Sequence, residues 1–152
     1  MKKLILLAVV LSLLPACEKS SDNVTISGHV VKTQYYSSEI FSEANQQIYG
    51  KWKFLNLSGG IGGFTYDPSY DYLEVTKYGI YGIIKDNKIK EIGKIIVNQQ
   101  DDIRTLITFF PDAEYRTDTQ MNQRQVSFNG NDSLSLWDTY MDGFSALYKR
   151  IK

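Results

Sequence analysis

From residue 49 onward, apolar and polar residues alternate in short runs along the chain. Alternation of this kind is typical of β-strands with one buried face, because successive side chains of a strand point to opposite faces. In the first run, Trp52 and Phe54 share one face, whereas Lys51 and Lys53 share the other. The pattern predicts eight strands, at residues 49–57, 70–77, 79–85, 88–98, 104–110, 123–128, 133–137 and 144–151.

The segments between these strands contain turn-forming residues and no helical run. Asp86-Asn87 is a two-residue hairpin signal, and Asn129-Gly130-Asn131-Asp132 predicts a second tight turn. The chain also has 11 Tyr, 7 Phe and 2 Trp against only 3 Pro, which favours strands. Short strands with turn-rich links indicate an all-β fold, either an antiparallel sandwich or a barrel.

Two weaker elements precede the strands. Residues 24–32 alternate weakly and are either a short strand or an extended arm. After them, Ser38 offers a helix N-cap, and apolar residues recur at helical spacing at Ile40, Phe41, Ala44 and Ile48. The second pattern predicts a short amphipathic N-terminal helix.

The start of the chain describes a secretory signal. A short cationic stretch, Met1-Lys2-Lys3, precedes residues 4–14, which are apolar except for Ser12. A small residue, Ala16, then precedes Cys17. A membrane-spanning helix needs about 20 apolar residues, so this stretch is too short to span. A buried core helix is the alternative, but an apolar rod without a polar face fits export better.

Leu14-Pro15-Ala16-Cys17 resembles the lipobox that bacterial lipoprotein signal peptidase recognises. The resemblance implies cleavage before Cys17, a diacylglyceryl group on its thiol and acylation of the new amino group. Because two or more acyl chains hold a protein stably on a bilayer, we expect a lipid anchor. Cys17 is also the single cysteine, which leaves no disulfide partner and no cysteine-based metal cluster.

The predicted organisation is a signal peptide at residues 1–16, a tether and N-terminal arm at 17–36, and one barrel domain at 37–152. Removal of the signal leaves 136 residues with 15 basic and 17 acidic side chains, enough for one core. Because no basic stripe is present, we expect no nucleic-acid partner and a membrane contact that is made by lipid.

The two ends of the barrel domain resemble those of lipocalins. Gly50-Lys51-Trp52 is similar to their opening motif, and Tyr148-Lys149-Arg150 is similar to the end of their last strand. With Asp142-Gly143-Phe144 and the lipobox, the chain resembles lipocalin-like envelope lipoproteins of Gram-negative bacteria. The resemblance implies an antiparallel, up-and-down, eight-stranded barrel, lipid-anchored at the outer membrane and facing the periplasm or the cell surface. It also implies a structural barrel floor that is formed by Gly50, Trp52 and Arg150.

If the eight strands alternate in direction, four loops form the opposite mouth, at residues 58–69, 85–88, 111–122 and 138–143. They carry four aromatic residues, Phe64, Tyr66, Tyr115 and Tyr140. Rim aromatics with a few polar groups are typical of small-molecule pockets, so these residues are the candidate ligand site. An eight-stranded barrel is either filled by side chains or holds one small ligand, and the sequence leaves both alternatives open.

Candidate catalytic and metal-binding residues are few. His29, the single histidine, lies in the arm, which disfavours a Ser-His-Asp triad and a zinc site. Gly59-Gly60-Ile61-Gly62-Gly63 lacks the spacing of a phosphate-binding loop and suits a mobile loop over the mouth. Paired aspartates for glycoside hydrolysis all fall in or beside turns (Asp67 and Asp71, Asp101 and Asp102, Asp138 and Asp142). We therefore expect no catalytic residue, no metal, no cofactor and no enzymatic activity.

Two functions from different classes remain. The first is a membrane-anchored lipoprotein that binds a small hydrophobic or aromatic ligand in the barrel mouth. The second is an interaction or inhibitor module whose mouth loops engage an envelope protein, with no ligand. Tyrosine and glycine at loop tips suit a recognition surface of this second kind.

Overall fold

The computed structural model describes residues 23–32, 43–99, 104–112, 114, 123–139 and 143–152. A 3-10 helix spans Glu43–Ile48. The strands are β1 (Asn23–Ile26), β2 (His29–Lys32), β3 (Gly50–Gly59), β4 (Phe64–Tyr66), β5 (Tyr72–Val75), β6 (Ile80–Lys85), β7 (Lys88–Gln99), β8 (Thr105–Pro111), β9 (Gln123–Asn129), β10 (Ser133–Asp138) and β11 (Phe144–Ile151).

Eight of these strands form a closed antiparallel barrel. β3 pairs with β5, and β5 to β11 then pair in sequence order, each antiparallel to the next. The last strand, β11, pairs with β3 from Ile151 opposite Lys51 to Phe144 opposite Gly59, which closes the barrel. The predicted antiparallel, up-and-down, eight-stranded barrel is therefore confirmed, and every strand boundary lies within two residues of its predicted position.

The turns follow the predicted chemistry. Asp86 and Asn87 have φ angles of 52° and 57°, and two positive values are typical of the type I′ turns that join two antiparallel strands. Between β5 and β6 the chain turns over residues 76–79, where the Gly79 amide donates to the Thr76 carbonyl at 3.0 Å. The strands on either side are correspondingly shorter than the sequence pattern predicts, since four residues are needed to reverse the chain.

The predicted N-terminal helix is present as the six-residue 3-10 helix, and the part of that prediction at residues 38–42 lies outside the described residues. Ile48, at the end of this helix, is buried in the barrel core. No helix in the described ranges has the length and apolar character that crossing a membrane requires.

The barrel interior is a single apolar cluster that begins at the closed floor. Every strand of the barrel contributes to it, through Trp52, Phe54, Leu73, Val75, Tyr81, Ile95, Ile107, Val126, Leu134, Leu136 and Tyr148. Trp52, Tyr81, Ile107 and Leu134 have no measurable exposure. This end of the barrel is a packed core.

A second apolar cluster lies on the outer face of the barrel. β1 and β2 form a hairpin whose turn residues, Ser27 and Gly28, both have positive φ. Val24 and Ile26 of this hairpin pack against three isoleucines on β6 and β7, namely Ile80, Ile84 and Ile92. Residues 23–32 of the predicted tether and arm therefore form a β-hairpin that covers the barrel wall.

Polar contacts hold the turn of this hairpin against the wall. The Ser27 amide and hydroxyl donate to Oε2 of Glu74 on β5, at 3.0 and 2.7 Å. The Lys51 ammonium donates to the same hydroxyl at 3.3 Å. Because one carboxylate oxygen accepts two bonds from Ser27, the position of the hairpin along the wall is fixed.

Candidate functional site

The barrel floor is built around the stacking of Arg150 on Trp52. The guanidinium carbon of Arg150 lies 4.1 Å from the centre of the indole ring, within the range of a cation–π contact. Gly50 has a φ of 119°, and a Cβ at this position would lie 2.8 Å from the Arg150 guanidinium. The absence of a side chain at Gly50 therefore leaves the space that the guanidinium occupies.

The same guanidinium also links the last strand to two other segments through hydrogen bonds. It donates to the carbonyls of Gln47 (2.5 Å), Tyr49 and Asn131 (2.7 Å). The Trp52 indole nitrogen donates to the Ile48 carbonyl at 2.8 Å. These bonds satisfy carbonyls at the end of the 3-10 helix and in the β9–β10 turn, which makes the contact structural.

A cavity of about 280 Å³ lies above this core, in the mouth half of the barrel. Its lining includes Ser69 and Phe144, which lie at the mouth end, and excludes Trp52 at the floor. Six apolar side chains from five strands contribute to the wall, namely Phe54, Leu57, Leu73, Ile83, Phe109 and Leu136. The sequence leaves a filled interior and a hollow interior as alternatives. The structure contains both, because side chains fill the floor half of the barrel and a cavity occupies the mouth half.

One wall of the cavity is a cluster of three aromatic rings in mutual contact. The Phe54 ring contacts those of Tyr70 and Tyr148, with ring centres 4.6 and 4.9 Å away, and the two tyrosine ring centres are 6.4 Å apart. The two tyrosine hydroxyls are 2.5 Å apart, so one donates to the other.

Burial raises the pKa of Tyr70 to about 12, although the bond to Tyr148 lowers it. Burial and the neighbouring Tyr70 also raise the pKa of Tyr148 well above its usual value. Both hydroxyls are therefore protonated at neutral pH.

Among the described residues, two charged side chains also face the cavity. Glu91 on β7 accepts a hydrogen bond of 2.5 Å from the Tyr81 hydroxyl. Arg124 on β9 forms an ion pair of 2.6 Å with Asp138 on β10, whose other oxygen accepts the Phe144 amide at 3.0 Å. The cavity is therefore amphipathic, with an apolar and aromatic body and a few fixed polar groups, as small-ligand sites are.

The rim residues that the sequence nominates lie apart from this cavity. Phe64 and Tyr66 are on β4, a short strand that pairs with the mouth end of β3. Their rings are 59% and 47% exposed, and neither lines the cavity. Tyr66 makes an edge-on contact with Phe144, with ring centres 5.8 Å apart. Tyr115 and Tyr140 lie outside the described residues, as does Cys17.

Sequence reasoning missed the residues that do line the cavity, above all Glu91 and Arg124. A signal was present, because Glu91 is in phase with the inward-facing Ile95 and Val97, and Arg124 is in phase with Val126. A single charged residue within an apolar strand face indicates a polar group that points into the barrel.

Two of the aspartates in the candidate pairs for glycoside hydrolysis, Asp71 and Asp138, accept hydrogen bonds from backbone amides. Asp71 accepts the amide of Asp86 at 2.7 Å, and Asp138 accepts that of Phe144. His29 is exposed on β2. Within the described part of the chain, no three His, Cys, Asp or Glu side chains are grouped closely enough to hold a metal ion.

Comparison with known proteins gives no relative: no family model, no curated protein and no solved structure matches this chain.

Proposed function

We propose that this chain is a membrane-anchored lipoprotein of the cell envelope that binds a small hydrophobic or aromatic molecule in the mouth half of its barrel. The observation that supports this function best is the cavity of about 280 Å³ beneath the mouth. The acylated residue would be Cys17, at the end of the lipobox-like segment. The proposal involves binding and no catalysis, and it needs no metal or cofactor.

The size and shape of the cavity favour a small ligand. Its volume corresponds to roughly nine water molecules at liquid density, so a molecule of about ten non-hydrogen atoms would fill it. The floor beneath it is closed by Trp52 and its contacts, which means that a ligand would enter through the mouth. Aromatic rings on one wall provide apolar surface that a planar molecule can contact.

A pair of variants on one strand tests this proposal. Ala146 faces the cavity and its neighbour Ser145 faces outward, so Ala146→Phe fills the space whereas Ser145→Phe adds the same ring outside. Native mass spectrometry after incubation with a mixture of ten-atom aromatic and aliphatic alcohols, amines and acids provides the measurement. We expect bound adducts for the unmodified chain and for Ser145→Phe, and none for Ala146→Phe. Absence of adducts from the unmodified chain would contradict the proposal.

The second candidate is an interaction module that engages an envelope protein through its mouth loops. One observation favours it: the ribbon of β3 and β4 projects Ile61 and Phe64 into solvent, at 85% and 59% exposure. Exposed apolar side chains at a loop tip are typical of protein contacts. A photo-crosslinking residue at Phe64 would then capture one envelope protein, and the same residue at exposed Lys90 would not. Equal labelling at both positions would count against this function.

A further inference from the structure

The cavity contains a carboxylate, that of Glu91, for which the described part of the chain supplies no cationic partner. Glu91 accepts a hydrogen bond from the neutral hydroxyl of Tyr81, and no other described residue bonds to it or forms an ion pair with it. A carboxylate has room for about four hydrogen bonds, so one bond leaves most of its accepting capacity unused. Withdrawing an unpaired carboxylate from water is costly, and a cation that binds beside it offsets that cost.

The other charged group in the cavity is already neutralised. Arg124 is paired with Asp138 at 2.6 Å, and the Phe144 amide holds that carboxylate in place. The charges of Arg124 and Asp138 therefore cancel to a first approximation, and Glu91 supplies the net charge that the described residues present to a ligand in the cavity. The local field favours a cation over an anion.

The rings around Glu91 favour a cation as well. Phe109 meets the Tyr81 ring edge-on at 5.0 Å, while the clustered rings of Phe54, Tyr70 and Tyr148 form the aromatic wall. The faces of aromatic rings attract cations through their quadrupole, and the attraction is larger where water is excluded. The Glu91 charge also acts on the Tyr70 hydroxyl, since it contributes to the raised pKa of that group. The carboxylate and the aromatic wall thus line the same cavity, where both attract a cation.

We propose that the cavity takes a small organic amine whose ammonium group pairs with Glu91 and whose apolar body contacts the aromatic wall. This inference rests on the proposed ligand-binding function and names the chemical class of the ligand. The Tyr81 hydroxyl is a positioning group, because it holds one carboxylate oxygen and leaves the other for the ligand.

Three probes that share a benzene ring and a two-carbon side chain test the inference by calorimetric titration of the full chain in phosphatidylcholine nanodiscs. They are 2-phenylethylamine, 2-phenylethanol and phenylacetate. We expect the amine to bind at least tenfold more tightly than the alcohol or the acid, because a hydrogen bond to a charged group changes affinity by about tenfold. Equal affinity for amine and alcohol, or tightest binding of phenylacetate, overturns the inference and leaves the binding function standing. If none of the three binds, the inference fails, and adducts with the mixture of aromatic and aliphatic compounds decide separately whether the binding function stands.

Matched variants then identify the group responsible. Glu91→Gln keeps an acceptor for Tyr81 and removes the charge, so we expect amine affinity to fall roughly 10- to 100-fold and alcohol affinity to stay within twofold. Glu74→Gln removes the same charge from the outer face and should leave all three affinities unchanged. Tyr81→Phe retains the carboxylate and should weaken amine binding only a few-fold. Equal effects of Glu91→Gln and Glu74→Gln on amine binding would overturn the assignment.

Discussion

The two tryptophans lie in opposite environments, so they form a matched pair for measuring how much the barrel floor contributes to the stability of the fold. Trp52 is fully buried beneath the Arg150 guanidinium, whereas Trp137 is 48% exposed on the outer face of β10. Trp52→Ala removes the largest side chain of the core and the ring on which Arg150 stacks. We expect the free energy of unfolding to fall by about 3–5 kcal/mol, as measured by urea denaturation.

The control variant is Trp137→Ala, which removes the same side chain from the surface. Its effect should stay within about 1 kcal/mol, because surface substitutions leave no cavity. If Trp52→Ala unfolded at the same urea concentration as the unmodified chain, the floor contact would not stabilise the barrel.

The Tyr70 hydroxyl makes stability depend on pH in the alkaline range. Burial raises its pKa to about 12, from about 10 in an unfolded chain. The unfolded state therefore loses this proton first, and stability that is complete below pH 10 is lost as the pH rises toward 12. We expect a loss on the order of 2–3 kcal/mol in this window, seen as a falling midpoint in urea denaturation.

Tyr70→Phe tests the origin of this pH dependence. The variant lacks the titrating hydroxyl, so its free energy of unfolding should decline less between pH 10 and pH 12. Tyr78→Phe removes a hydroxyl from an exposed ring and serves as the matched control. Identical alkaline profiles for Tyr70→Phe and Tyr78→Phe would show that the buried pair is not responsible.

At the same scale, the sequence pattern could not predict that Ile89 and Glu91 face opposite sides of β7. Simple alternation along β7 places Ile89 and Glu91 on one face. The pairing of β6 with β7 shifts between Ile83 and Ile84, so that Ile84 pairs with Ile89 and Ile83 pairs with Glu91. This irregularity turns Ile89 outward and Glu91 inward. Strand alternation predicts a face only between bulges, and the position of a bulge depends on the partner strand.

Among the elements, the contact of the β1–β2 hairpin with β6 depends on one glycine. A Cβ at Gly82 would lie 2.6 Å from Cγ2 of Ile26, whose branched side chain has little rotamer freedom. Gly82→Ala should therefore push the hairpin off the wall and destabilise the fold by about 1–3 kcal/mol. Chemical denaturation measures the loss of unfolding free energy, and hydrogen exchange at the β1 amides shows whether the hairpin is the part affected.

A double-mutant cycle distinguishes this clash from a general effect on β6. Ile26→Ala should cost about 2–5 kcal/mol on its own, because it empties the second apolar cluster. In that background the clash is absent, so Gly82→Ala should be neutral or stabilising. Additive costs for the two substitutions would contradict the proposed contact.

The elements differ in how well their sequences predict them. The eight barrel strands are predictable because one face of each meets a continuous core, which enforces the alternation. The β1–β2 hairpin alternates only weakly, and its four-residue strands could not be distinguished from an extended arm. β4 is missed altogether, since its three residues follow a glycine-rich turn and are exposed.

For the whole molecule, the resemblance to lipocalins predicts a closed barrel, and an even count of alternating strands agrees with that closure. Eight antiparallel strands bring the end of β11 beside the start of β3, and the structure pairs Arg150 with Trp52 there. The cavity could not be predicted in this way. Its volume depends on how side chains of different size fill the mouth half, and an eight-stranded barrel accommodates both a packed and a hollow interior.

The β1–β2 hairpin also shortens the segment between the proposed lipid anchor and the folded part of the molecule. The predicted tether and arm run from residue 17 to 36, but β1 begins at Asn23 and packs on the barrel wall. Only residues 18–22 then separate Cys17 from the folded part, and they span at most about 20 Å. An anchored barrel would therefore lie close to the bilayer surface.

Cys17→Ser tests this arrangement in cells. The variant should fold with an unchanged urea midpoint, fail to incorporate radiolabelled palmitate and leave the membrane fraction, because no thiol remains to carry the diacylglyceryl group. Ser20→Ala, a similarly small change within the tether, should retain both the label and the membrane association. Membrane sedimentation of Cys17→Ser at the level of Ser20→Ala would mean that the chain is held by a contact other than lipid on Cys17.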